Sequence, residues 1–274
     1  MNLAWFIAIV TLVAVVAISA MLLVRRRAPD GSYFADGDRA AGVFGVLATG
    51  FAVLAGFVVF LAFDSYDTAR SGAAEEARIV AHQFETVQFL PAPTRERLGG
   101  ELVCYARNVV NREWAQMASG TLADGQNPWG IALFRSLRAT SPRTATEQAA
   151  FAKYLDERSA REDARADRVH AGEGVIPTPL WIVLFLSAAM LFAFMLGFAD
   201  SGERAFVQAM MMGGVAIVVT SLLLLLSFLD NPYHSGVGSL KPVAMEKTLT
   251  LLRDEARILG GVRVPCNTAG DTSS

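Results

Sequence analysis

The sequence predicts an all-α integral membrane protein with four transmembrane helices and a helical domain inserted between helices 2 and 3. Hydrophobic residues make up 53% of the 274-residue chain, which is more than an ordinary soluble domain contains. The excess is concentrated in four stretches without a charged residue. Each is long enough to cross the hydrocarbon core of a bilayer as a helix: residues 3–24, 41–63, 179–199 and 205–229.

The arginines near these stretches predict their orientation. Arg25, Arg26 and Arg27 directly follow the first stretch, and the short connections at 25–40 and 200–204 are denser in basic residues than the opposite side. Because basic loops stay in the cytoplasm, we expect the N-terminus, the polar middle and the C-terminus outside the cytoplasm of a bacterial inner membrane. The apolar stretches predict the lipid bilayer as a partner. The formal net charge of −2 gives the chain no positive electrostatic field, so we expect no nucleic acid as a partner.

The second stretch carries small residues at three- and four-residue spacing, namely Gly45, Ala48, Ala52 and Gly56. This pattern lets helix backbones approach closely where lipid supplies no hydrophobic drive. It has two interpretations. The small residues pack against helices of the same chain, or they form an oligomer seam or pore wall.

Polar residues cluster where apolar stretches end, and they form a candidate polar site at the membrane edge: Asp64, Asp67, Arg70, Asp230 and Asn231. Asp64 is better explained as a partner of an N–H group or an arginine than as a proton relay. No ionisable residue lies deep within any of the four stretches, which argues against an ion-coupled transporter.

The middle domain, residues 64–177, is predicted to be helical. The pattern of the second helix continues beyond the membrane until Pro91 and Pro93 stop it. Residues 94–119 then form an amphipathic helix with Cys104 on its polar side. Asn127 can cap a helix that has Pro128 at its first position.

A second helix start is predicted at Thr144, which has capping-box spacing to Glu147. From residue 156 to residue 168 the helix turns almost wholly polar, which is typical of a solvated face. Glu157 and Arg161 have the spacing of an i, i+4 ion pair.

The C-terminal part, residues 230–274, is predicted to contain an amphipathic helix at 241–259 and a flexible tail with Cys266. The chain has two cysteines, and the predicted topology places both on the same, oxidising side. Cys104 also occupies a polar helix face, where a free cysteine is unusual. We therefore predict a disulfide between Cys104 and Cys266 that holds the tail against the middle domain.

The sequence contains few residues or motifs that could support catalysis or metal binding. His82, His170 and His234 are far apart in sequence and lack metal-ligand spacing to a second His or Cys. The sequence has no nucleophile elbow, no phosphate loop and no dinucleotide fingerprint placed between a strand and a helix. We predict that the protein is not an enzyme and that it has no metal site and no cofactor.

Four short segments carry a family resemblance: Ser65-Tyr66-Asp67-Thr68-Ala69-Arg70, Tyr105 with Glu113-Trp114-Ala115-Gln116-Met117, Pro179-Leu180-Trp181, and Leu229-Asp230-Asn231-Pro232-Tyr233 with Gly236. On these, the chain resembles the bestrophin-like domain proteins of bacteria from about residue 25 to residue 252. In that family the last segment reads Leu-Asp-Arg-Pro-Phe. Asn231 and Tyr233 depart from it, which removes a cationic contribution to an anion path at this point.

The resemblance implies a distant likeness to eukaryotic bestrophins, which are pentameric anion channels with a cytosolic helical domain. The arginine distribution favours the opposite side for the middle domain. The leading hypothesis is a non-enzymatic, homo-oligomeric ion channel with its second helix near the axis. The alternative is an envelope sensor or interaction module whose helical domain binds a protein partner.

Overall fold

The computed structural model describes residues 3–121, 127–170, 174–234, 236–258 and 262–272. Within these ranges the chain is helical apart from loops and one isolated bridge between Cys266 and Thr272. The all-α class is thus confirmed. The helices are α1 (Leu3–Arg25), α2 (Gly37–Thr86), α3 (Ala92–Asn108), α4 (Trp114–Ala118), α5 (Pro128–Arg138), α6 (Ala145–His170), α7 (Thr178–Gly197), α8 (Ala205–Leu229) and α9 (Val243–Ile258).

The four helices α1, α2, α7 and α8 are long and apolar enough to cross a membrane. They contain the predicted stretches apart from residues 198 and 199 at the end of the third. The second helix is much longer than its apolar part, because α2 continues without a break to Thr86 and ends in a 3₁₀ turn at Val87–Phe89. Pro91 and Pro93 follow at once, as the sequence predicts.

The chain forms two compact units. The first comprises the described parts of Met1–Ser65, Gly174–Asn231 and Ser235–Gly238. Its core joins α1, α7 and α8 through small and flexible side chains: Ala14, Ala17, Met21, Met195, Ala199, Met212 and Ala216. Gly213 brings α8 against α1, because a Cβ atom there would lie only 3.0 Å from Cδ1 of Ile18.

The connections of the first unit are held by side chain to backbone hydrogen bonds. Arg25, at the end of α1, donates through Nη2 to the carbonyl oxygens of Ser201 and Glu203 between α7 and α8. The backbone N–H of Gly31 donates to Oδ1 of Asp200 at 3.0 Å. These bonds fix the loops that carry most of the arginines used to predict orientation.

The second unit comprises the described parts of Tyr66–Glu173, Pro232–His234 and Ser239–Ser274. Helix α3 lies in its core, and Leu98, Leu102 and Tyr105 are fully buried. Gly72 lets α2 contact α6 closely, since a Cβ atom there would lie 2.8 Å from the carbonyl oxygen of Ala164 and 2.9 Å from the amide nitrogen of Arg168. Any larger residue at this position must separate the two helices.

The helix predicted for residues 94–119 is divided in the structure. Helix α3 starts at Ala92 and ends at Asn108, a π-helical turn occupies Val109–Glu113, and α4 completes the segment. The π turn inserts one extra residue per turn and so re-aims the side chains that follow it. It directs Glu113 into the interior of the second unit, where this side chain is 3% exposed.

Two helix caps predicted for the second unit, at Asn127 and Thr144, are confirmed, whereas α3 starts at Ala92, before Thr94. The side chain of Asn127 accepts a hydrogen bond from the backbone N–H of Trp129 at 2.9 Å, with Pro128 in the first turn of α5. Thr144 Oγ1 accepts from the N–H of Glu147, whose carboxylate accepts in return from the N–H of Thr144. This is the reciprocal capping box that the spacing predicts.

The polar run of α6 is not simply a solvated face. Arg161 and Arg168 are fully buried, because each guanidinium finds polar and aromatic partners inside the second unit. The predicted pair of Glu157 with Arg161 does not form. Glu157 Oε1 lies 3.2 Å from Nζ of Lys153 instead, while Nη1 of Arg161 donates to Oε1 of Gln83 at 2.9 Å.

Residues 262–272 also differ from the predicted flexible tail. A Cβ atom on Gly100 would lie 2.1 Å from the carbonyl oxygen of Arg263, and one on Gly270 would lie 2.4 Å from the amide nitrogen of Asn108. Gly270 has φ +87°, a conformation that glycine adopts readily. Trp129 donates a hydrogen bond through Nε1 to the carbonyl oxygen of Gly270 at 2.6 Å. Two glycines and one tryptophan, distant in sequence, thus seat this segment on α3 and α5.

Candidate functional site

The part of α2 within the first unit has two different faces. Phe51, Ala55, Val58 and Ala62 are buried at 6% exposure or less. On the other side Gly45, Ala52 and Gly56 are exposed and Ala48 is half-buried. A Cβ atom on Gly45 or Gly56 would meet no atom within 4 Å. The small-residue stripe therefore lines an open surface of the single chain.

Large apolar side chains flank the stripe. Val46, Val53, Phe57 and Phe60 are each more than 60% exposed. By helical periodicity they lie together beside the small residues, on the side away from the buried face. Helix α2 thus presents a wide open surface with one smooth strip and one strip of bulky side chains.

Asp230 has the best defined surroundings among the predicted membrane-edge residues. Its Oδ1 accepts hydrogen bonds from the backbone N–H groups of Val175 and Ile176 at 2.7 and 2.9 Å. Its Oδ2 lies 3.4 Å from Nε1 of Trp181. The carboxylate satisfies backbone donors of the loop before α7 and so ties this loop to the end of α8.

The remaining membrane-edge residues are exposed. Asp64, Asp67 and Arg70 lie exposed on α2, and Asn231 is exposed after Asp230. Asp64 and Asn231 belong to the first unit, whereas Asp67 and Arg70 belong to the second. A joint polar site of these residues stays a prediction.

A buried ionic network lies in the second unit and was missed by the sequence analysis. The guanidinium of Arg168 donates through Nη2 to Oε1 of Glu76 at 3.1 Å and to Oε2 of Glu113 at 2.6 Å, and a further bond from Nε reaches Glu76. Arg165 donates to Oε1 of Glu113 at 2.9 Å. Three helical segments, α2, α6 and the π turn, are thereby joined by charge.

Neutral donors complete the network. The hydroxyl of Tyr105 donates to Oε1 of Glu76 at 2.6 Å. Asn127 donates through Nδ2 to Oε1 of Glu113 and to Oδ1 of Asn108. Because every carboxylate oxygen of Glu76 and Glu113 accepts at least one bond, these buried charges are compensated.

The network sets the charge states of its members. Burial alone would raise the pKa of Glu113, but the positive charges of Arg168 and Arg165 outweigh burial and hold that pKa below its ordinary value. The pKa of Arg168 is raised because Glu76 and Glu113 overcome the opposing effect of burial. Burial and the charge of Glu76 raise the pKa of the Tyr105 hydroxyl well above its ordinary value. Glu113 and Arg168 therefore keep their opposite charges near neutral pH.

The sequence contains one signal for this network. Tyr154, Arg161 and Arg168 are spaced by seven residues on α6, so they continue the buried face that Ala150 begins. All three are fully buried. An arginine that recurs at the spacing of an apolar face indicates a buried ion pair, and the acidic partners can then be sought on other helices.

The predicted cysteine pair is bonded in the structure. The sulfur atoms of Cys104 and Cys266 are 2.05 Å apart and join positions separated by 162 residues. Cys104 is fully buried and Cys266 is 8% exposed. Within the described residues, no group of three or more His, Cys, Asp and Glu side chains could hold a metal ion.

The comparisons with known proteins agree on one family. A family model described as Bestrophin-like domain matches residues 10–245. No curated protein matches the chain significantly. The family match includes most of both compact units, so the resemblance that the sequence analysis gave on four short segments is confirmed.

Solved structures show the same fold at low sequence identity. A bacterial bestrophin homologue from Klebsiella pneumoniae, in a single-substitution variant, has a TM-score of 0.69 and 12% identity over 89% of this chain and 99% of that chain. A second variant of that homologue has a TM-score of 0.66 and 12% identity, covering 89% and 98%. A crystal structure described as a membrane protein has a TM-score of 0.67 and 13% identity, covering 92% and 98%. None of these supports an envelope partner.

Proposed function

The chain belongs to the bestrophin-like domain family, and on that premise we propose that it is a homo-oligomeric channel of the bacterial inner membrane that conducts small anions. The observation that carries this proposal is the open surface of α2. Gly45, Ala52 and Gly56 are exposed in the single chain and meet no neighbour at either glycine. A helix surface of small residues is suited to line a pore or to approach a second copy closely.

The arrangement proposed for the oligomer places the α2 helices around a central axis. The smooth strip of Gly45, Ala48, Ala52 and Gly56 faces the axis, and the bulky strip that contains Val53 and Phe57 packs against the neighbouring subunit. Small residues leave room for an ion at the axis, while exposed bulky residues supply the apolar area that oligomer contacts need. The second unit forms the extramembrane helical domain of each subunit.

Ala52→Phe is expected to remove most of the anion current. The added ring fills the space at the axis, whereas Val218→Phe, at an exposed position of α8 outside both strips, should leave the current near its original level. The measurement is current across planar bilayers that contain the purified protein, with ion selectivity taken from reversal potentials in a chloride gradient.

Three results contradict the channel proposal. They are the absence of current at any voltage for the unmodified protein, cation selectivity in place of anion selectivity, and equal effects of the two substitutions. A strictly monomeric protein in detergent and in nanodiscs contradicts the oligomer. The two parts of the proposal can therefore fail separately.

The topology proposal rests on the arginines and on the disulfide. Arg25, Arg26, Arg27, Arg39 and Arg204 lie in the two short connections, and cysteines are kept oxidised mainly outside the cytoplasm. Both point to an extracytoplasmic second unit. The N-terminus and the C-terminus lie on the same side in this proposal.

Single cysteines introduced into a Cys104→Ser/Cys266→Ser background test this orientation. Ala160→Cys on the exposed side of α6 should react with a membrane-impermeant maleimide in intact spheroplasts. Tyr33→Cys, in the loop between α1 and α2, should react only after the membrane is permeabilised. The reverse pattern contradicts the proposed orientation and places the second unit in the cytoplasm.

A further inference from the structure

The second unit contains a cavity of about 490 Å³ with charges of both signs on its wall. Four of its residues belong to α3, two belong to the segment 262–272, and together they are Pro93, Glu96, Arg97, Glu101, Arg263 and Pro265. A volume of this size falls in the range of small-molecule sites. The cavity is separate from the buried ionic network and from the open surface of α2.

Glu101 is the unusual member of this wall. It is 8% exposed. Its Oε1 accepts a hydrogen bond from Oγ of Ser136 at 2.8 Å, but Oε2 is buried and has no hydrogen-bond partner among the described residues. A buried carboxylate oxygen without a donor is costly, and a partner from outside the chain would remove this cost.

The pKa of Glu101 also shows that its carboxylate lacks sufficient compensation from neighbouring groups. Burial raises its pKa above the ordinary value, and the hydrogen bond from Ser136 and the positive charge of Arg97 oppose that rise only in part. A positively charged donor beside Oε2 would favour the ionised carboxylate. An ammonium group supplies both the charge and the hydrogen bond.

The opposite charge is offered by two arginines. Arg97, on α3, and Arg263, on the other wall, are both exposed at the cavity. Guanidinium groups bind carboxylate and phosphate with paired hydrogen bonds. A simple anion would leave Glu101 without a donor, and a simple cation would leave the arginines without an acceptor.

We propose that this cavity binds a small zwitterion, with its ammonium group on Glu101 and its carboxylate or phosphate on Arg97 and Arg263. The shared chemistry fits a free amino acid and the headgroup of an ethanolamine lipid equally. The proposal does not depend on ion conduction, since every residue that it uses lies in the second unit.

The disulfide helps to build this site. Arg263 and Pro265 immediately precede Cys266, whose bond to Cys104 holds this wall against α3. Gly100 permits the contact, because a Cβ atom there would lie 2.1 Å from the carbonyl oxygen of Arg263. Loss of either feature should open the cavity and weaken binding.

Isothermal titration of the oxidised, full-length protein in detergent tests the proposal with four probes: L-alanine, phosphoethanolamine, acetate and ethylammonium. We expect saturable binding of at least one zwitterion and none of the two singly charged ions. Preference for phosphoethanolamine indicates a lipid headgroup, and preference for L-alanine indicates a free amino acid. Failure of both zwitterions, or equal binding of acetate or ethylammonium, overturns the proposal.

Variants locate the binding. Glu101→Gln keeps an acceptor for Ser136 but loses the charge, so zwitterion affinity should fall roughly tenfold or more. Glu246→Gln, an exposed carboxylate on α9 away from the cavity, should bind as the unmodified protein does. Gly100→Ala should weaken binding through the displaced wall. Unchanged affinity of Glu101→Gln overturns the assigned site, and the melting temperature of each variant separates lost binding from lost folding.

Discussion

Arg168→Met is expected to destabilise the protein by about 3–5 kcal/mol, because it removes the central cation of a buried ionic network and leaves the carboxylates of Glu76 and Glu113 without it. Glu76 and Glu113 both bond to this guanidinium, and all three side chains are nearly or fully buried. The methionine side chain cannot replace any of these bonds. The free energy of unfolding, or the melting temperature in detergent, measures the effect.

Two further variants separate this effect from the loss of any arginine. Arg78→Met removes an exposed ion pair with Glu75 and should leave the melting temperature nearly unchanged. The double variant Glu76→Gln/Arg168→Met no longer contains the uncompensated Glu76 charge and should recover part of the loss. If Arg168→Met and Arg78→Met are equally stable, the network does not support the fold.

The same network predicts how acid acts on the second unit. The pKa of Glu113 is lower in the folded chain than its ordinary value of 4.5. This group therefore contributes stability above that value, and the contribution is lost as the pH falls through the lower, folded pKa. The acid sensitivity due to Glu113 thus begins below about 4.5.

Breaking the Cys104–Cys266 disulfide is expected to cost about 5 kcal/mol in the chain-entropy treatment, because the bond closes a loop of 162 residues. The variant Cys104→Ser/Cys266→Ser should melt at a lower temperature than the oxidised protein. Dithiothreitol should lower the melting temperature of the oxidised protein toward that of the variant.

The variant itself serves as the control for the reductant. Its melting temperature should not respond to dithiothreitol, since it has no cysteine left. Alkylation of the denatured protein reports the bond directly, and mass spectrometry should find no reactive thiol before reduction. Two reactive thiols in protein from an oxidising compartment would falsify the disulfide.

Much of the architecture follows from local features of the sequence. The four apolar helices are specified by length and composition alone. Asn127 with Pro128, and Thr144 with Glu147, specify helix starts through contacts within a few residues. The cysteine pair was predictable because the chain contains only two cysteines and both fall on one side of the predicted topology.

The features that the sequence analysis missed depend on contacts between distant residues. The polar run of α6 predicts that Arg161 and Arg168 are solvated, because charge is normally exposed. Their buried partners, Gln83 and Glu76, lie on another helix. The local sequence predicts a flexible segment at 262–272, because its contacts with Gly100, Asn108 and Trp129 involve residues that are distant in sequence.

The cavity at Glu101 also depends on contacts between residues that are distant in sequence. Glu101 and Arg97 are close in sequence, but Arg263 reaches the cavity only through the disulfide-linked segment. Local pattern therefore specified helices and caps, while long-range contacts specified the ionic network and the candidate binding site.

The segment 262–272 also sets an order of events during synthesis. Cys104 is made before α7 and α8, whereas Cys266 follows both of them, so the two thiols coexist only after both helices have been translated. Until then the backbone around Gly100 and the indole N–H of Trp129 lack the partners that this segment supplies. The second unit is thus completed after the last apolar helix has been made, and truncation before residue 262 leaves it unfinished.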